Sequence, residues 1–316
     1  MTAAPDVAVH WELGSDRPRE DHGFFGPDSP TWKVWTSPTA LIGFQRSVVL
    51  EHFEPHLAAA VADAAGIYRD PRGRMDGTLA YFLIIATADS RTAVEASEHL
   101  QKVHARSKGL DPVTGTRYSA NDPASQLWIH VTGWHSVLKC YEVFGPGPLS
   151  RAEEDRYWSE CVIAAELQTV NPADVPRSRD EVRQYFARMR PTLCTSERAQ
   201  RAMHYLLRTP RSGSSNMQFW AISRLLAPAT IATLPRWMRE LGQFDQPGIV
   251  DAAYRPLVSA GMRIAGIPAV ETTILRRSLP MTRTALRDFH KAKAPLRPVT
   301  VTPAEAKERY GRRATA

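Results

Sequence analysis

The chain has 316 residues, 43% of them hydrophobic, which is enough apolar surface for one large core although the length alone would allow two domains. Its 40 basic and 33 acidic residues leave a net charge of +7, but the two signs are interspersed along the chain, so charge alone names neither a nucleic acid nor a lipid partner. Cys140, Cys161 and Cys194 are widely separated and odd in number, so neither a disulfide framework nor a thiolate metal site is indicated.

Residues 1–36 carry several prolines and glycines without periodicity. Their tryptophans Trp11, Trp32 and Trp35 suggest an arm packed on the body. The first residues lack a basic stretch followed by an apolar one, so a cytoplasmic location is expected. Ser37-Pro38 supplies a cap and a first-turn proline for a helix through Leu41, Ile42, Phe44, Val48 and Val49. Glu54-Pro55 opens an alanine-rich helix from Pro55 to about Ala65, closed by Gly66. After a turn at Asp70–Gly73, the apolar stretch from Arg74 is read as helix, which makes Arg74 and Thr78 neighbours four residues apart. The longest apolar run, near Leu79 to Ala88, is about half of what a spanning helix needs, so no membrane span is expected.

Asp89-Ser90 caps the next helix, which carries His104 near its end and is expected to stop at Gly109. Residues 110–121 resemble a hairpin turn and allow two short strands. Asn121-Asp122-Pro123 starts a long helix to Gly145, with His130 and Trp134 on one face. Ser150 and Glu153 form a capping box for another. Further helices are expected at about 179–191, 195–208, 216–226, 233–241 and 248–264, each bounded by proline, glycine or serine clusters.

No internal repeat and no flexible linker divides the sequence. The expectation is therefore an all-α fold of about ten helices in one globular domain, residues 37–290, flanked by the 1–36 arm and a basic tail, 291–316, holding at most one short helix near Thr302-Pro303.

Several chemistries lack their signals. There are no paired Glu-x-x-His segments for a di-iron bundle, no HExxH, no GxSxG, no GxxxxGK[ST] and no GxGxxG. Histidine chemistry remains. Of ten histidines, His10 and His22 lie in the arm and His290 borders the tail, leaving seven in the helical body. His52 and His56 are four apart, but Pro55 between them starts a new helix, so they are not expected to share a metal face. His104 near a helix end reads either as a residue favoured by the helix dipole or as an iron ligand, and His130 either as a core residue or as the second choice of ligand.

An ordered set of motifs narrows this choice. His56-Leu-Ala-Ala-Ala-Val-Ala-Asp63, Asp70-Pro-Arg-Gly-Arg74-x-x-x-Thr78, Val103-His104-Ala-Arg106, Tyr118-Ser-Ala-x-Asp122-Pro and Leu127-Trp128-x-His130 resemble the haem-dependent oxygenase family of latex clearing protein (rubber oxygenase) and the MpaB-type oxygenases, over about residues 35–265. Pro235-Arg-Trp237 and the helices around it also look typical of the family's C-terminal half. The resemblance implies haem b within a helical domain, His104 as proximal iron ligand, and Arg74 and Thr78 near the haem. Arg106, His130 and His56 are the further candidates for contact with the cofactor. The lysine that precedes the threonine in some rubber oxygenases, where it can occupy the sixth position of the iron, is Gly77 here, a departure from the pattern that a lysine-capped resting state needs.

A single protein ligand leaves one face of iron for O₂ or peroxide. In that setting Arg74 would neutralise a propionate or hold an oxygen-derived anion, and Thr78 would donate a hydrogen bond to bound oxygen. The expected activity is oxygenation of an apolar or aromatic small molecule, with no nucleic-acid partner; a homodimer is left open. The alternatives are a haem sensor or carrier without turnover, and a haem-free helical interaction protein.

Overall fold

The computed structural model describes residues 17–64, 66–210, 217–290 and 295–311. His10, Trp11 and the start of the arm lie outside them. Among the described residues the fold is all-α, with sixteen α-helices, more than the ten expected, and one small two-stranded sheet.

The first helix, α1 (Pro30–Trp35), lies within the stretch read as an aperiodic arm. Ser29 caps it by accepting from the Trp32 amide, and its apolar side chains are core: Val34 and Trp35 are buried. Trp35 stacks on Phe82 at 5.3 Å between ring centroids and meets Trp134 edge-on at 5.7 Å.

Helix α2 (Ala40–Glu51) starts two residues later than expected, because Ser37 and Pro38 form a turn whose carbonyls accept from the Ala40 and Leu41 amides. Then follow α3 (Pro55–Ala64) and the short α4 (Gly66–Arg69), so Gly66 opens a new helical turn instead of closing the old one. Helix α5 (Pro71–Thr87) includes the predicted turn: the Asp70 side chain accepts from the Gly73 amide and Pro71 occupies the first turn. Its apolar residues point all round, as expected for a helix buried on most sides.

Helix α6 (Ser90–His104), capped by Asp89, ends earlier than Gly109. The chain then turns into strand β1 (Lys108–Leu110), which pairs antiparallel with β2 (Arg117–Ser119). Asp122 caps α7 (Pro123–Phe144), and the Ser150/Glu153 capping box opens α8 (Arg151–Ala165). Next come α9 (Arg179–Met189), α10 (Glu197–Leu207), α11 (Met217–Ala232), α12 (Arg236–Gly242) and α13 (Gly248–Ala265). Two helices that the sequence did not reveal follow, α14 (Pro268–Ser278) and α15 (Pro280–His290), and Thr302 and Glu305 box the start of α16 (Pro303–Tyr310).

The central contact is α2 against α7. A Cβ added at Gly43 would lie 2.6 Å from Val137 Cα, so the two backbones meet at a distance that only glycine permits. Beside it the buried Arg46 guanidinium donates to Ser136 Oγ at 2.7 Å and to the Thr233 carbonyl at 3.4 Å, with His135 Nδ1 at 3.3 Å. This arginine is satisfied entirely within the protein.

The segment near the start of the described chain runs alongside residues 296–301. The Leu296, Arg297 and Val301 amides donate to the carbonyls of Arg19, Glu20 and Gly23. No helix among the described residues is long and apolar enough to cross a membrane.

Candidate functional site

Four helix ends bring the candidate residues together. Arg74 and Thr78 lie one turn apart near the start of α5, and His104 is the last residue of α6. Gln126 lies in the first turns of α7, while Glu51 ends α2 and His52 caps it.

Arg74 is the electrostatic centre. Its side chain is exposed, yet the protein atoms packed around it hold its pKa below the ordinary arginine range. Burial is the main cause of the depressed His104 and His52 pKa values, and the nearby Arg74 charge lowers both further. Burial also pushes the Glu51 carboxyl up to about 7, against the opposing pull of Ser47 and Arg74. Ser47 Oγ donates to Glu51 Oε1 at 2.7 Å. The Arg74 guanidinium itself has no hydrogen bond or ion pair among the described residues. Buried Arg46 is met by protein acceptors, whereas the exposed Arg74 guanidinium has none among the described residues.

His104 is half-buried and held neutral, its pKa pulled down to about 4. The Gln126 amide nitrogen donates to the Ala120 carbonyl at 2.6 Å and faces His104 Nδ1 at 3.4 Å. His104 Nε2 is left without a protein partner among the described residues. No group of three or more His, Cys, Asp or Glu that could hold a metal ion converges among the described residues.

The other candidates fare differently. Thr78 is half-buried, and its hydroxyl donates back to the Arg74 carbonyl at 2.9 Å, so donating to a ligand requires the side chain to rotate. His130 is fully buried, with Nε2 2.8 Å from the Cys161 carbonyl and its ring against Trp134, the arrangement of a core histidine. His56 Nε2 lies 2.8 Å from Thr116 Oγ1, which ties α3 to the hairpin loop instead of to Arg74. Arg106 is exposed, past the end of α6. Glu51 was missed by sequence reasoning, and His52 was weighed there only as a metal partner of His56. His52 Nδ1 donates to the Val48 carbonyl at 2.6 Å, and its buried Nε2 has no partner.

A small apolar pocket, partly open to solvent, lies on a different face of α5, between Leu79, Leu83, Trp35, Leu41, Leu275 and Leu286. At 100° per residue, Leu79 and Leu83 point roughly away from Arg74 and Thr78, so α5 separates this cavity from the polar site.

The family model described as ER-bound oxygenase mpaB/B'/Rubber oxygenase, catalytic domain, matches residues 32–266. No curated protein and no solved structure gives a match. The matched span holds Glu51, His52, Arg74, Thr78, His104 and Gln126 together.

Proposed function

Because the chain belongs to the family of the mpaB/B' and rubber oxygenase catalytic domains, we propose that it is a haem b-dependent oxygenase acting with O₂ or peroxide on an apolar or aromatic small molecule. The observation that carries this reading is the desolvated, unpartnered Arg74 guanidinium beside the neutral, half-open His104 imidazole. A haem offers a porphyrin metal to the second and a carboxylate to the first.

The donor set fits such a group. His104 would hold iron through Nε2, the nitrogen with no protein partner, and its low proton affinity keeps it a free base at neutral pH. Arg74 would hold a propionate as a charge-assisted pair. When bound, the haem supplies an iron centre able to react with O₂ or peroxide.

The rest is done by the chain. Glu51, titrating at about 7, can take a proton from a substrate carbon or hydroxyl and release it near neutral pH. Ser47 orients that carboxyl through its 2.7 Å hydrogen bond. Arg74 stabilises the carboxylate form once the proton has gone. Thr78, freed from the Arg74 carbonyl by rotation about χ1, would turn its donor towards the site.

The test is to express the protein with a haem precursor, record its absorption spectrum, and follow O₂ consumption or peroxide-dependent product formation with apolar substrates by mass spectrometry. A Soret band with oxygen incorporated into product is expected. A Soret band without turnover would leave the sensor or carrier reading, and no band would exclude haem.

A further inference from the structure

The apolar pocket beside α5 has its outer wall in helices that lie beyond the family-matched span of residues 32–266. Leu79 and Leu83 of α5 form the inner wall, and Ile274 and Leu275 of α14 with Thr282 and Leu286 of α15 form the outer one. Asp76 keeps that outer wall in place. At 100° per residue it shares a face of α5 with Leu79 and Leu83. Its buried carboxylate accepts from the Met281 and Thr282 amides at the start of α15, each at 2.8 Å. A carboxylate on the first amides of a helix is a charge-assisted anchor. The pocket is therefore a fixed feature of the packing, with α15 pinned over it.

Polarity and size together say what this space accepts. A water held in a cavity needs about two to four polar partners, and the hydroxyls of this wall are already committed. Thr36 Oγ1 donates to the Trp32 carbonyl at 2.7 Å, Ser37 Oγ lies 2.8 Å from Thr39 Oγ1, and Thr282 Oγ1 donates to the Asp76 carbonyl at 3.4 Å. Glu271, the one charged residue of the lining, is half-buried and itself engaged. The buried Trp35 indole nitrogen has no partner, but one donor does not hold a water. An ion entering would lose its hydration without replacement. The space measures about 40 Å³, against about 150 Å³ for an apolar cavity that takes benzene, so a ring is too large. What fits is an apolar molecule of very few heavy atoms.

We propose that this pocket is a docking site for dioxygen, one helix away from Arg74 and Thr78. O₂ is apolar and diatomic, so it restores the dispersion contacts that an unfilled space forfeits and strands no hydrogen bond. The open side of the pocket lets the gas in from solvent. Naming O₂ as the natural guest rests on the oxygenase reading. The capacity to take a small apolar gas does not, and it holds whether or not haem binds at His104.

Methyl-resolved nuclear magnetic resonance of the full chain, under O₂ and then under N₂ at equal pressure, tests it. Dissolved O₂ is paramagnetic and broadens the signals of groups it visits. The Leu79 and Leu83 methyl signals should broaden at least fivefold more than those of Leu138, which is equally buried but outside the pocket. Xenon, an apolar and diamagnetic guest, should shift the Leu79 and Leu83 signals and leave those of Leu138 in place. Ala265→Leu and Ala40→Leu each put a larger side chain into the wall, the first at a half-buried position that tolerates it more readily. Either folded variant should lose at least two-thirds of the excess broadening. Because two gases are compared on one sample, the pocket is read with haem bound or absent. Excess broadening in a protein with neither a Soret band nor turnover would uphold the gas pocket while removing the oxygenase reading. Broadening at Leu79 and Leu83 no greater than at Leu138 would overturn the proposal, as would excess broadening that survives in both variants.

Discussion

The Gln126 side-chain amide lies 3.4 Å from Nδ1 of His104, pinned by its 2.6 Å bond to the Ala120 carbonyl. Held in this way, the amide offers a proton to Nδ1, which favours the tautomer that carries its proton on Nε2. An imidazole bound to iron through Nε2 carries its proton on Nδ1 instead and needs an acceptor there. For His104 to hold haem iron through Nε2, as proposed, the Gln126 amide would turn its oxygen towards the ring and give up the Ala120 carbonyl.

Substituting Gln126→Glu would supply that acceptor without the turn. The account predicts haem affinity at least equal to wild type and a more negative iron potential, because a carboxylate partner makes the imidazole a stronger donor. Gln126→Leu should cost about 10- to 100-fold in affinity, as loss of an outer partner of a metal-bound histidine does. Haem transfer to an acceptor globin and potentiometric titration read both effects.

Arg74→Ala should weaken haem retention by roughly tenfold or more, since a charge-assisted pair in a desolvated site is worth about 1.5–3 kcal/mol. Arg74→Lys keeps the charge but loses the planar two-pronged contact, and should fall between. Unchanged haem dissociation in Arg74→Ala would remove the propionate role.

The pH dependence of stability follows in part from His130, one of several histidines whose pKa burial lowers. Its pKa is about 4 in the folded protein against 6.5 for an ordinary histidine, and burial is the main cause. Between those two values the unfolded chain binds a proton that the folded chain excludes. The contribution, about 3 kcal/mol, is therefore complete above pH 6.5 and disappears as pH falls towards 4. Glu51 acts with the opposite sign: its carboxyl rises from 4.5 to about 7, so its contribution is lost as pH rises through that window. Denaturant unfolding across this range should show His130→Gln with a shallower acid loss than wild type and Glu51→Gln with a steeper one.

Gly43→Ala should destabilise the fold by about 1–3 kcal/mol or more, because its methyl would meet the Val137 backbone at 2.6 Å and no flexible side chain can yield. Gly248→Ala, where a Cβ meets nothing, should be near neutral. Paired thermal unfolding curves separate the two.

The helices whose caps are local could be read from sequence. Asp122-Pro123 and the Ser150/Glu153 box state the starts of α7 and α8 within four residues. The start of α15 could not be read in that way, because its cap is tertiary: the Met281 and Thr282 amides both donate to the Asp76 carboxylate on α5, each at 2.8 Å. α14 begins after Ile267, whose side chain has no acceptor to offer. The same distinction governs the site. His104, Arg74 and Thr78 stand in motifs, whereas Glu51 and His52 acquire meaning only when the end of α2 is folded beside Arg74. Thr78 was legible as a residue but its commitment to the Arg74 carbonyl was not, since that bond belongs to the folded helix.

Absorption spectra of wild type, His104→Ala and His130→Ala, each expressed with a haem precursor, bear most directly on the proposed iron site. A Soret band present in wild type, absent in His104→Ala and retained in a folded His130→Ala is the predicted result. A band of undiminished intensity and position in His104→Ala would contradict it.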